Sequence, residues 1–322
     1  MNQALIDSIV QAVLYEGYIL YPYRPATAVK KDERFAFGRV YPESYTKGSH
    51  GAELCQMQTE CLVDGPPASS VDITVRFLHP MAREIGALAT PLHELPAHQG
   101  NPDFFQVVPA LVVEGERYET RQEAVERTIR VPKTTLSELT DEIKLPFSLA
   151  AMRAIEPIRN HAGLIEGVMV RRQAAIAGLL ELEAEKVEEF LFKITARIVN
   201  RSPVPAACMK DPAEITMRTF ASTHTILHTD NGKFISMIDP PLVWTAQAAA
   251  CRNIGTWPVL VGDGARRERD AIVSSAAILY DYPTIQAEGA EKVVATVEAD
   301  GVMTRRIMRV TDGERRRHGA LR

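Results

Sequence analysis

An α+β fold, mainly antiparallel β in a sandwich or barrel with a few flanking helices, is predicted by three features of this 322-residue sequence. Apolar and polar residues alternate with a period of two along much of the chain, the mark of half-buried strands. Helical spacing is confined to short stretches. The segment from about Arg218 to Tyr282 combines strand-type runs with proline-capped helix starts and an Asn-Gly turn.

The first element, Gln3 to Tyr15, reads as a helix, with Leu5, Ile6, Ile9, Val10 and Val13 on one face and Gly17 as a cheap left-handed end. Tyr18 to Tyr23 is aromatic and β-favouring, bounded by Pro22 and Pro25. Met57, Thr59, Cys61 and Val63 alternate with Gln58 and Glu60, and Val71, Ile73, Val75 and Phe77 with Asp72, Thr74 and Arg76. His79 to Asp103, rich in Pro, His and Gly, reads as a long loop or a short helix. Leu111 to Val113 meets Arg117 to Glu119 across Glu114-Gly115 as a hairpin. Val125, Ile129 and Val131 mark a strand ending at Pro132. The polar stretch Lys133 to Pro146 suggests a boundary between an N-terminal α+β domain (1–145) and a C-terminal β-rich domain (146–322), although the halves could pair into one sheet.

Past that boundary the alternation is cleaner. Leu180 to Glu185 and Phe190 to Ile198 form a two-stranded antiparallel unit, turning near Glu188, with Glu181, Glu183, Lys193 and Arg197 on a wet face. Asp211-Pro212-Ala213-Glu214 starts a helix, with Asp as N-cap, Pro at the first position and Glu able to complete a capping box. Asp230-Asn231-Gly232-Lys233 predicts a hairpin with positive φ at both central residues. Asp239-Pro240-Pro241 caps a second helix running to about Arg252, with Gly255 to end it. Trp257 to Val261 and Ile272 to Tyr280 are strands around a charged loop, Gly262 to Asp270.

Composition narrows the function classes. The chain is 46% hydrophobic with a formal net charge of −4, enough to fill a core and with no global pull toward nucleic acid or anionic lipid. The opening residues lack a signal peptide's basic and apolar regions, and no apolar run reaches the roughly 18 residues that span a bilayer. The expected location is therefore cytoplasmic. The four cysteines contain no Cys-x-x-Cys, so neither a zinc ribbon nor a redox pair is written here.

His224 and His228 are the most pointed candidate pair, because their spacing puts both on one face of either a strand or a helix. Two such imidazoles could share nickel or zinc, with Asp230 or Cys251 as a further ligand. The bland alternative is hydrogen bonding or hydration within the hairpin. His-Glu-x-x-His is absent, as are a Gly-x-Ser-x-Gly elbow and a phosphate loop. Cys251 falls at a helix end, where the dipole raises a thiol pKa, which argues against a nucleophile. Tyr18, Tyr21 and Tyr23 belong to an aromatic group that is either core, a partner surface or a small-ligand cleft. The tail from Met303 carries seven arginines, among them Arg315, Arg316 and Arg317, against Asp312 and Glu314, a local net of 7 − 2 = +5. It is either a solvated terminus or an electrostatic contact for an acidic partner.

Several stretches together resemble a known family. They are Leu14 to Pro25, Phe37-Gly38, Tyr41-Pro42, Met57-Gln58-Thr59-Glu60-Cys61, Ser222-Thr223-His224-Thr225, Asp239-Pro240-Pro241, Cys251 to Val259, Ser274-Ser275 and Leu279 to Pro283. The chain is similar over most of its length to an uncharacterised family often encoded beside nickel–iron hydrogenases and their maturation factors. The resemblance implies an accessory or assembly role, with a hydrogenase subunit or maturation factor as protein partner, and implies no catalytic residue.

Overall fold

The computed structural model describes residues 6–11, 14, 38–48, 53–96, 104–283, 292–299 and 302–308. Eighteen strands follow one another among them: β1 Gln56–Asp64, β2 Ser70–Leu92, β3 Gln106–Val108, β4 Ala110–Val113, β5 Glu116–Glu119, β6 Arg121–Arg130, β7 Thr134–Thr135, β8 Ile143–Leu149, β9 Met152–Arg159, β10 Ile165–Gln173, β11 Ile176–Lys186, β12 Leu191–Asn200, β13 Ala221–Asp230, β14 Lys233–Phe234, β15 Trp257–Val261, β16 Ala271–Ser275, β17 Lys292–Ala299 and β18 Val302–Met308. Every pairing between them is antiparallel. The protein is thus the mainly antiparallel α+β fold its alternation predicts.

Two sheets make the sandwich. One has the order β14-β1-β12-β11-β8; the other runs β15-β16-β13-β2-β10-β9, with β3, β6 and β7 also on β2. Strands from both sides of residue 146 pair within each sheet, β1 with β12 and β2 with β13. The core between the sheets follows from period-two alternation. Met57, Cys61, Val63, Leu180, Leu182, Phe192, Ile194 and Ile198 of one meet Val71, Ile73, Val75, Phe77, Leu227 and Ile272 of the other. The N-terminal helix (residues 6–11 and 14 described) covers the outer face of the larger sheet. Its Ile6, Ile9 and Val10 pack with Val259, Val261, Ala271 and Val273.

Three expectations need correction. His79 to Leu92 is neither loop nor helix but the second half of the 23-residue β2. Pro80 is tolerated because it falls between the last β13 partner, Leu78, and the first β10 partner, Ala82, where that side of the ladder needs no donor. The Asn231-Gly232 turn joins two sheets instead of closing a hairpin. Asn231 takes φ +60°, but β14 then pairs with β1 while β13 pairs with β2 and β16. The second proline-capped helix is a 3₁₀ turn, Leu242–Trp244, followed by one turn of α-helix, Thr245–Ala249.

Other local readings hold. The Glu114-Gly115 turn has φ +52° and +83°, the two positive values a tight hairpin requires. Asp211 caps the helix Pro212–Thr216 by accepting from Ala213 N at 2.9 Å. Glu214 does not close a capping box; its carboxylate is drawn to Arg172 at 2.7 Å and Arg218 at 2.6 Å.

Candidate functional site

The proposed metal residues do not assemble. His224 and His228 share one face of β13, but four residues of strand span about 13 Å, too far for one ion to bridge. Cys251 belongs to the other sheet, packed with Leu62, Leu191, Ile235 and Ala248. Its half-buried thiol is pushed up to about 11, first by burial and then by Glu60, so it is a thiol and not a thiolate at neutral pH. His228 and Asp230 do meet, with Nδ1 3.9 Å from Oδ1, and Asp270 Oδ2 lies 3.7 Å from Nε2. The two carboxylates approach opposite ring nitrogens, so they bracket the imidazole and do not converge with it on one point. Among the described residues no three His, Cys, Asp or Glu side chains are arranged to hold a metal ion. Tyr18, Tyr21, Tyr23, Arg315, Arg316 and Arg317 lie outside the described residues.

The sequence stretches Met57–Cys61 and Cys251–Thr256, 190 positions apart, meet in space. Inner-face alternation explains buried Met57 and Cys61, but Gln58 and Glu60 on the opposite face are buried as well, at 5% and 8% exposure. A strap, residues 235–256, covers them. Ile254 exchanges backbone hydrogen bonds with Gln58 in both directions, at 2.9 and 3.0 Å. The Asn253 side chain imitates a strand partner for Glu60: its Oδ1 accepts from Glu60 N at 2.9 Å and its Nδ2 donates to Glu60 O at 3.2 Å. Glu60 Oε2 accepts from Arg252 N at 2.6 Å and Oε1 from Gln58 Nε2 at 3.0 Å. Gln58 in turn accepts from Arg197 Nε at 2.8 Å, and Arg197 pairs with Glu181. The side chains of Gln58, Glu60, Arg197 and Asn253 in this latch are each hydrogen-bonded, as burial requires.

A second latch holds the strap's other end. Ser236 Oγ donates to Asp281 Oδ2 while accepting from Asp239 N at 2.8 Å, and Asp281 Oδ1 accepts from Leu260 N at 2.8 Å. Between the latches, Trp244 and Ala248 pack onto Leu62, Leu191 and Ile235, and Gln247 donates to Glu188 at 3.0 Å. What the fastened strap presents is apolar: Leu242 is 96% exposed, Val243 71% and Ile238 49%. At its far end Leu54 and Trp257 are also exposed, and Gly255, at φ +68°, leaves room for Leu54, whose Cδ1 lies 2.9 Å from where a Cβ would stand. The sequence predicts a helix here but not which of its sides faces water. The Asp-Pro-Pro start followed at once by Leu-Val was the available signal.

Fold and surface define an antiparallel β-sandwich protein with an anchored strap that displays aliphatic side chains. Comparison of the chain with protein-family models, curated proteins and solved structures gave no match. Among the described residues no helix is long and apolar enough to cross a membrane.

Proposed function

We propose that this protein is an accessory or assembly factor that acts through protein–protein contacts, with the 235–256 strap as its docking element. The observation that carries the reading is the near-complete exposure of Leu242 beside Val243 on a segment latched at both ends. Two large aliphatic side chains held in water lose transfer free energy that a partner's groove recovers, and a segment already ordered has little conformational entropy left to lose on binding. The family resemblance supplies the partner class, a nickel–iron hydrogenase subunit or a maturation factor.

The test is co-purification from a host that expresses the hydrogenase. Wild-type protein recovers a hydrogenase subunit or maturation factor, and the double variant Leu242→Asp/Val243→Asp loses it while keeping its melting temperature within 1–2 °C, roughly the surface-substitution range. Equal recovery by wild type and variant, or none by either, rejects the strap as the docking element.

A further inference from the structure

We propose that the strap's partner is cationic, an aliphatic surface bordered by lysine or arginine side chains. This deepens the docking reading and rests on it. The turn from β11 to β12 lies against the strap. Val187 and Leu191 of the turn share an apolar cluster with Trp244 and Ala248, and Glu188 accepts from Gln247 Nε2 at 3.0 Å. The turn is itself held in place, because Gly65 N donates to Phe190 O at 2.8 Å. Residues 183–190 read Glu-Ala-Glu-Lys-Val-Glu-Glu-Phe, four carboxylates against one lysine. Lys193 engages Glu185 at 2.6 Å. Glu183, Glu188 and Glu189 are exposed, and none of the three pairs with a cation among the described residues. Phe190 completes the turn with its side chain 50% exposed.

The strap's aliphatic display, Leu242 and Val243, is thus bordered by an acidic, ring-bearing turn. Carboxylates beside an apolar contact lose hydration when a partner closes over them, and opposite charge offsets that loss. Lysine and arginine suit both halves of such a surface. Their methylene stems cover aliphatic side chains while the charged head stays at the polar border and reaches a carboxylate. A head placed at Glu189 also finds the Phe190 ring in the same turn, a cation–π contact. An anionic partner, an acidic lipid surface included, would bring like charges together at the same place. Strap and turn are both ordered beforehand, so little conformational entropy remains to be lost on binding.

The probe is a synthetic amphipathic helix of leucine and lysine, with a leucine–glutamate peptide of the same pattern as control. Each is titrated against the full chain by fluorescence anisotropy. Binding of the lysine peptide alone is expected, weakening as salt is raised. Glu183→Lys/Glu189→Lys leaves the Gln247 contact in place and should lower affinity about tenfold or more. Glu116→Lys/Glu119→Lys makes the same change of charge on the β4–β5 hairpin and should lower it by less than about twofold. Leu242→Ser/Val243→Ser removes the aliphatic half and should also cost about tenfold. Full affinity in that last variant rejects the strap as docking element, and the docking reading fails with it. Four results overturn the cationic partner while leaving docking by the strap intact: no binding of the lysine peptide, equal binding of the glutamate peptide, wild-type affinity in Glu183→Lys/Glu189→Lys, or sedimentation of the chain with phosphatidylglycerol vesicles.

Discussion

Glu60 fastens the strap through both its backbone and its carboxylate, which face Arg252-Asn253. Truncation to alanine would leave the Arg252 N–H and the Gln58 amide short of an acceptor under cover. Glu60→Ala is expected to cost about 1–3 kcal/mol in urea unfolding, with an unchanged m-value if the sandwich itself is intact. Cys251, on the same latch, should alkylate with iodoacetamide far more slowly in the native protein at pH 8 than in urea, since its thiol sits at about 11. Glu123 carries the pH prediction. Burial works to raise its carboxyl, but the Arg171 hydrogen bond and the charges of Arg83 and Arg171 outweigh that and hold it below the usual range. A depressed folded value means the contribution is fully present above the unfolded pKa, about 4.3, and is lost as pH falls through the folded value. Melting temperature plotted against pH below about 5 should therefore fall less steeply in Glu123→Gln than in wild type.

Among the elements, short ones with local chemistry were the most legible. Asp211 is the clearest case: its side chain caps the helix Pro212–Thr216 as the Asp-Pro start predicts. Asp211→Ala is expected to lower stability by about 1 kcal/mol, measurable by thermal or urea unfolding. The Glu114-Gly115 turn was equally readable, because positive φ at two successive residues is a property of the turn itself. β2 was not. Its second half holds Pro80 and Gly86, both poor strand formers, yet it pairs with β6 on one side and β10 on the other. Neighbouring strands supply the packing that propensity lacks. His79 illustrates the same point: it is wholly buried, its Nε2 lies 3.2 Å from Met217 O, and burial with Arg127 nearby holds it down at about 4, a neutral core imidazole.

In the whole molecule, the strap is what joins distant sequence. It closes the free edge of β1, shields the outer face around Leu62 and displays Leu242 and Val243. Because those two side chains touch little of the fold, substituting them should separate binding from stability, whereas changes at Glu60 or Asp281 should affect both. Asp281→Ala removes the acceptor shared by Ser236 Oγ and Leu260 N. It should weaken partner recovery together with thermal stability, a joint loss that Leu242→Asp/Val243→Asp does not produce.

Alternation alone determined that this chain forms antiparallel sheets around an apolar core, and capping chemistry determined where Pro212–Thr216 begins. Both are consequences of local geometry: side chains of a strand alternate by construction, and an N-cap is settled within four residues. Only the tertiary structure decided that Gln58 and Glu60 are buried, that the Asn231 turn crosses between sheets, and that His224 and His228 lie too far apart to share an ion. Those depend on which segment covers which face, and on strand rise against helical rise, neither of which a periodic pattern encodes.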